Sequence, residues 1–163
     1  MTDTETEALL AYLNPQREHV LSALEGLSDE DLRRPTLPSG WTPLGLVRHL
    51  ALDVERFWFQ RCVAGEPTAQ PAEGSAWQVP AGVPAAEILD LYRSEIETAN
   101  GIIATTPPDA LPRWWPDEIF PDYPIRPLRN VILHVLAETA THAGHLDAAR
   151  ELIDGTQWLV LDG

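Results

Sequence analysis

Residues 127–155 read PLRNVILHVLAETATHAGHLDAARELIDG. Pro127 opens the run and Asp154-Gly155 closes it, a proline that starts a helix and a glycine that stops one. At about 100° of rotation per residue, Ile132, Val135, Leu136, Ala140, Ala143 and Leu146 share one broad face. His134, Glu138, His142 and His145 fall within roughly a quarter of the circumference on the opposite side. The spacing predicts one long amphipathic helix with a wide apolar side and a narrow stripe of imidazole and carboxylate groups.

Upstream, the turn residues predict three more long helices. The first lies within residues 5–25, where Asn14-Pro15 either kinks it or starts it with Asn14 as the cap. Val20, Leu21 and Leu24 give its apolar stripe and Gly26 its stop. Ser28-Asp29-Glu30-Asp31 caps a short helical turn, and LPSGW makes a loop. Thr42-Pro43 starts the second helix, which runs to about Cys62 with Leu46, Leu50, Val54, Phe57 and Trp58. Residues 64–82 are rich in Gly, Pro and Ala and read as a loop. Pro84 opens the third helix, with Ile88, Leu91, Tyr92, Ile96 and Ile103 on its apolar side. A proline-rich connection then leads to Pro127; at about 20 residues it exceeds ordinary loops, and such segments often wrap a site. TQWLVLDG at the end suits a short extended tail.

No segment alternates with period two, so no sheet is expected. The fold class is all-α, a four-helix bundle with a long crossover loop, formed as one domain over residues 1–163.

The chain carries 25 acidic against 11 basic residues, a net charge of −14. That balance excludes a nucleic-acid partner, which needs a basic patch, and disfavours an anionic membrane surface. No apolar run reaches the roughly 18–20 residues that span a bilayer. The N-terminus MTDTETEALL is acidic and unlike a signal peptide. Cys62 is the only cysteine, so no internal disulfide framework exists. A cytoplasmic location is the expectation.

Three of the five histidines lie between residues 134 and 145. Side chains at i and i+4 sit one turn apart and point the same way. A carboxylate and an imidazole so placed, as Glu138 and His142 are, meet one cation at about 2 Å from each. A further ligand must come from another helix, and His49 is the candidate, since its neighbours on the second helix are mostly apolar. A polar stripe opposite an apolar face is equally what an ordinary surface helix shows. His19, between Glu18 and Val20, reads as solvated, and His134 as structural. Cys62 reads as a small buried hydrophobe. The six tryptophans read as core or loop anchors, with an aromatic wall over a pocket as the other possibility.

The run ALEGLSDEDLRRPTLPSGWTPLGLVRHLALDVERFWF (residues 23–59) resembles the opening half of actinobacterial DinB/YfiT-like proteins. ILHVLAETATHAGHLDAARELIDG (residues 132–155) is similar to their last helix. The resemblance is weakest over residues 64–126. It implies a four-helix bundle with a divalent metal held by a histidine on the second helix and two residues four apart on the last. In the branch resembling mycothiol-dependent maleylpyruvate isomerase, the first of that pair is glutamate. Carried over, the ligands are His49, Glu138 and His142, the triplet that spacing also picks out. His145 stands where many relatives have glutamine and is a candidate to orient a bound water or ligand. His134 is expected to line the same crevice. These 163 residues show no counterpart of the isomerase's large C-terminal domain, so the resemblance carries no expectation of isomerase activity.

Two imidazoles and a carboxylate suit Zn(II), with Ni(II) or Fe(II) as alternatives. Relatives are thiol S-transferases, so the leading expectation is transfer of a low-molecular-weight thiol, mycothiol first, to an electrophilic small molecule. Arg48 or Arg126 is a candidate to hold an anionic group of that molecule. The alternatives are a metal-hydroxide hydrolase and a non-catalytic metal-binding bundle. A homodimer through the first helices is expected.

Overall fold

The computed structural model describes residues 4–158. Its organising helix begins at Thr42, whose hydroxyl accepts the Gly45 N–H at 3.0 Å. Pro43 fills the first turn, where its missing N–H costs nothing. Helix α1 spans Thr4–Ser22, the short α2 spans Asp29–Leu32 behind its Ser28 cap, and α3 spans Pro43–His49. From Leu50 to Val63 the same rod continues as a π-helix, its hydrogen bonds closing on the fifth residue rather than the fourth. An ordinary helix to Cys62 was the expectation. The wider turn lets Leu50, Glu55, Phe59 and Val63 all reach the interior, a spacing that an α-helix would rotate away. Helix α4 spans Ala85–Thr105 and α5 spans Leu128–Asp154, which Gly155 ends at φ 79°.

Helix α1 packs on α5, α5 on the π-helical rod, the rod on α4, and α4 back on α1. Chain order differs from this spatial order, so the α4–α5 connection must cross an end of the bundle. The long crossover loop follows from that topology. Among the described residues there is no strand, and no helix is long and apolar enough to cross a membrane. The far end of the expected extended tail lies outside the described residues.

Three expectations need correction. Pro15 neither starts nor ends a helix, since α1 runs through it. Asn14 is no cap; its side-chain oxygen accepts from Arg17 Nη1 at 2.9 Å. Burial of Leu13, Arg17 and Val20 on either side of Pro15 holds the turn in place. On α5, Ala140 faces solvent and Thr139 is the buried neighbour. Thr139 conceals its hydroxyl by donating to the Val135 carbonyl at 2.7 Å. His19 is not solvated: Nε2 meets Asp147 Oδ1 at 2.8 Å, and its ring stacks on Trp158.

The bundle interior holds an ion pair. Arg17 on α1 donates from Nε and Nη2 to the two Glu55 oxygens at 2.7 and 2.6 Å, with both side chains about fully buried. Arg17 Nη1 also donates to Asn100 on α4 at 2.9 Å. One guanidinium therefore ties three helices together. Burial pushes the Glu55 carboxyl up from its ordinary range, and Arg17 pulls it back.

Candidate functional site

His49 is the last residue of α3, at the junction with the π-helix. One turn on, Asp53 Oδ2 lies 2.8 Å from His49 Nδ1. A carboxylate only accepts, so Nδ1 carries the proton and Nε2 is the nitrogen left to act as a ligand. On α5, His142 Nε2 and Glu138 Oε2 lie 3.6 Å apart. Ligand-capable atoms of His49, Glu138 and His142 all fall within 4.8 Å of one another. Burial, with His49 and His145 close by, pulls the His142 imidazole down to about 4. It is therefore an uncharged lone-pair donor at neutral pH. Two imidazoles and a carboxylate at this separation are a donor set that fits a divalent cation.

His145 is exposed, and its Nδ1 lies 3.3 Å from Nδ1 of His142. A hydrogen bond there occupies the far nitrogen of His142 and leaves Nε2 directed at Glu138. Trp77 stacks on the other side of the cluster, 4.1 Å from the His49 ring centroid at 16°. Its indole also meets the His142 ring edge-on at 5.5 Å.

The loop expected over residues 64–82 holds a 3₁₀ turn, Ser75–Trp77, and that turn delivers Trp77. Arg48 fixes it by donating from Nη1 to the carbonyls of Ser75, Ala76 and Gln78 at 2.6, 2.9 and 3.1 Å. Arg48 is thus a strut for the loop and not free for an anionic ligand. Arg126 is exposed and does not line the crevice described below. Gly45 completes the fit, since a Cβ there would stand 2.2 Å from the Trp77 carbonyl oxygen. Gly45→Ala should therefore cost stability by about 1–3 kcal/mol despite the better helix propensity of alanine. Urea titration checks this, and tryptophan emission should report displacement of Trp77.

Beside the cluster opens a crevice of about 430 Å³, reaching from His49, Asp53 and Glu138 to Phe120 and Tyr123 of the long connection. Phe57 and Trp58 of the π-helix form its floor. Trp58 faces Phe120 at 14° with centroids 6.1 Å apart. His134 lines it too, edge-on to Trp58 at 4.6 Å, and burial lowers its pKa against the pull of Glu138. The aromatic wall is thus present, with Trp58 in the crevice and Trp77 on the imidazole cluster. Trp115 anchors the connection by donating to the Tyr123 carbonyl at 2.9 Å.

Cys62 is fully buried, and burial pushes its thiol up to about 12. It should stay unmodified by iodoacetamide in the native protein and react only after denaturation, as mass spectrometry would show. Any reacting thiol must then come from a second molecule.

Sequence reasoning missed Asp53 and Trp77. The Asp53 signal was present, a carboxylate four residues beyond an imidazole, the same spacing that singled out Glu138 and His142. Trp77 had no such signal, because a loop 28 residues past His49 brings it in.

A helical bundle that gathers two imidazoles and a carboxylate at the end of an aromatic crevice is a small-molecule protein with a metal-capable site. A model of the Mycothiol-S-transferase family matches residues 8–155, nearly the whole chain, and the chain belongs to that family. No curated protein matches it. The DinB/YfiT-like resemblance is borne out at this level, and the kind of function it supports is thiol transfer.

Proposed function

We propose that the protein is a metal-dependent S-transferase that joins mycothiol to an electrophilic small molecule, with His49, Glu138 and His142 as the ligands of a divalent ion. The observation that carries this reading is the convergence of those three side chains, from two helices, within 4.8 Å beside an aromatic crevice. Zn(II) best suits two imidazoles and one carboxylate, and Ni(II) or Fe(II) are the alternatives that availability would decide. When bound, such an ion lowers the pKa of a coordinated thiol, so that the thiol is held as thiolate near neutral pH.

The chain's own residues do the remainder. Asp53 holds His49 by Nδ1, fixing its tautomer and ring plane, and Trp77 closes that face to water. His145 holds His142 from its far nitrogen. The crevice positions the electrophile beside the cluster.

Two measurements test this. Elemental analysis of the purified protein should give one divalent ion per chain, and a chromogenic electrophile should be consumed only with thiol present. Turnover indifferent to thiol would remove the transferase reading in favour of hydrolysis. Asp53→Ala should weaken metal affinity by about 10–100-fold while leaving the fold intact, read by competition with a chelating dye.

A further inference from the structure

The crevice differs from the rest of the surface in what it lacks. None of its lining residues is Lys or Arg. Its carboxylates are Asp53 and Glu138, and both have partners: Asp53 on His49, Glu138 beside His142. Two guanidiniums whose neighbours in sequence line the site, Arg48 and Arg61, are engaged elsewhere. Arg48 is spent on three backbone carbonyls. Arg61 lies in the adjoining groove past Phe57, over the Trp114 ring at 4.5 Å and donating to the Thr68 carbonyl. Meanwhile Phe120 and Tyr123 leave 40% and 41% of their surface in water.

From this we infer that the electrophile is an uncharged, flat aromatic or conjugated molecule, and that the crevice discriminates against anionic ones. The inference rests on the thiol-transfer reading and names the class of second substrate. The two charges of the bound ion would already stand against Glu138, Asp53 and the coordinated thiolate, so a carboxylate or phosphate would enter a slot with no Lys or Arg left to offset its desolvation. A neutral ring gains instead by packing on the aromatic lining and covering the exposed faces of Phe120 and Tyr123. The His134 imidazole, edge-on to Trp58, offers an uncharged hydrogen-bond partner for a nitro or carbonyl oxygen. For an aryl chloride the step balances simply. The thiolate sulfur forms the C–S bond, chloride leaves with the electron pair of the C–Cl bond, and the thiol proton passes to buffer.

A matched pair tests the inference: 4-chloro-3,5-dinitrobenzoate and its methyl ester, each with mycothiol and the metal-loaded protein, each rate divided by the uncatalysed rate. The ester should be favoured in kcat/KM by about tenfold or more. Phe120→Arg, at an exposed loop position, should reduce that ratio to about threefold or less by supplying the missing cation. A second readout needs no turnover. Quenching of tryptophan fluorescence by unreactive methyl 3,5-dinitrobenzoate should saturate at a concentration about tenfold below that of the free acid. Equal use or equal quenching of acid and ester would overturn the inference, as would a ratio unmoved by Phe120→Arg. Preferential quenching by the ester without any thiol-dependent turnover would sink the transfer reading, and the electrophile with it, and leave standing only the crevice's preference for neutral rings over anions.

Discussion

His142→Ala is expected to empty the site, with bound metal falling from about one equivalent to near none and thiol transfer falling on the order of 10³-fold. The reasoning is geometric. His142 is the neutral imidazole nearest the carboxylate, at 3.6 Å from Glu138 Oε2, and it also faces His49 with ring centroids 5.2 Å apart. Its removal leaves one candidate ligand on each of two helices, and an ion held by two protein donors exchanges readily. His134→Ala makes the control, since that ring lines the crevice from one turn earlier; it should retain the metal. Inductively coupled plasma analysis of both variants, with circular dichroism to confirm folding, decides the matter. Full metal retention by His142→Ala would refute the ligand assignment.

Breaking the buried ion pair should have the largest effect on stability. Glu55→Ala strands the Arg17 guanidinium in the bundle interior, where only Asn14 and Asn100 remain as acceptors. Loss of one partner from such a pair costs about 3–5 kcal/mol. For a domain of this size that corresponds to a fall in Tm of roughly 6–20 °C. Replacing both, as Arg17→Met with Glu55→Leu, should recover most of the loss, because no uncompensated charge is left behind. Thermal melts of the single and double variants test both halves. A single variant within about 1 kcal/mol of the parent would mean that water reaches the pair.

The two effects separate cleanly because the ion pair and the crevice lie on opposite sides of the π-helical rod. Glu55 turns inward from the π-helix toward α1, while Asp53 and Phe57 turn outward to the crevice. The wider π turn places Leu50, Glu55, Phe59 and Val63 inside without rotating His49 away from α5. Such segments recur at functional sites because a local change in pitch aims side chains that a regular helix would misdirect.

What the sequence by itself determined is the local part. Thr42-Pro43 marks a helix start and Asp154-Gly155 a helix end through backbone chemistry that needs no partner. Glu138 and His142 share a face because residues four apart on a helix always do. His49 was legible as the third member through the family resemblance and its apolar surroundings. Tertiary structure alone decided the rest. Arg17 meets Glu55 across 38 positions, His19 meets Asp147 across 128, and Trp77 arrives on His49 through a loop held by Arg48. Each depends on how the helices rotate against one another, which the packing of the whole core sets and no short spacing encodes.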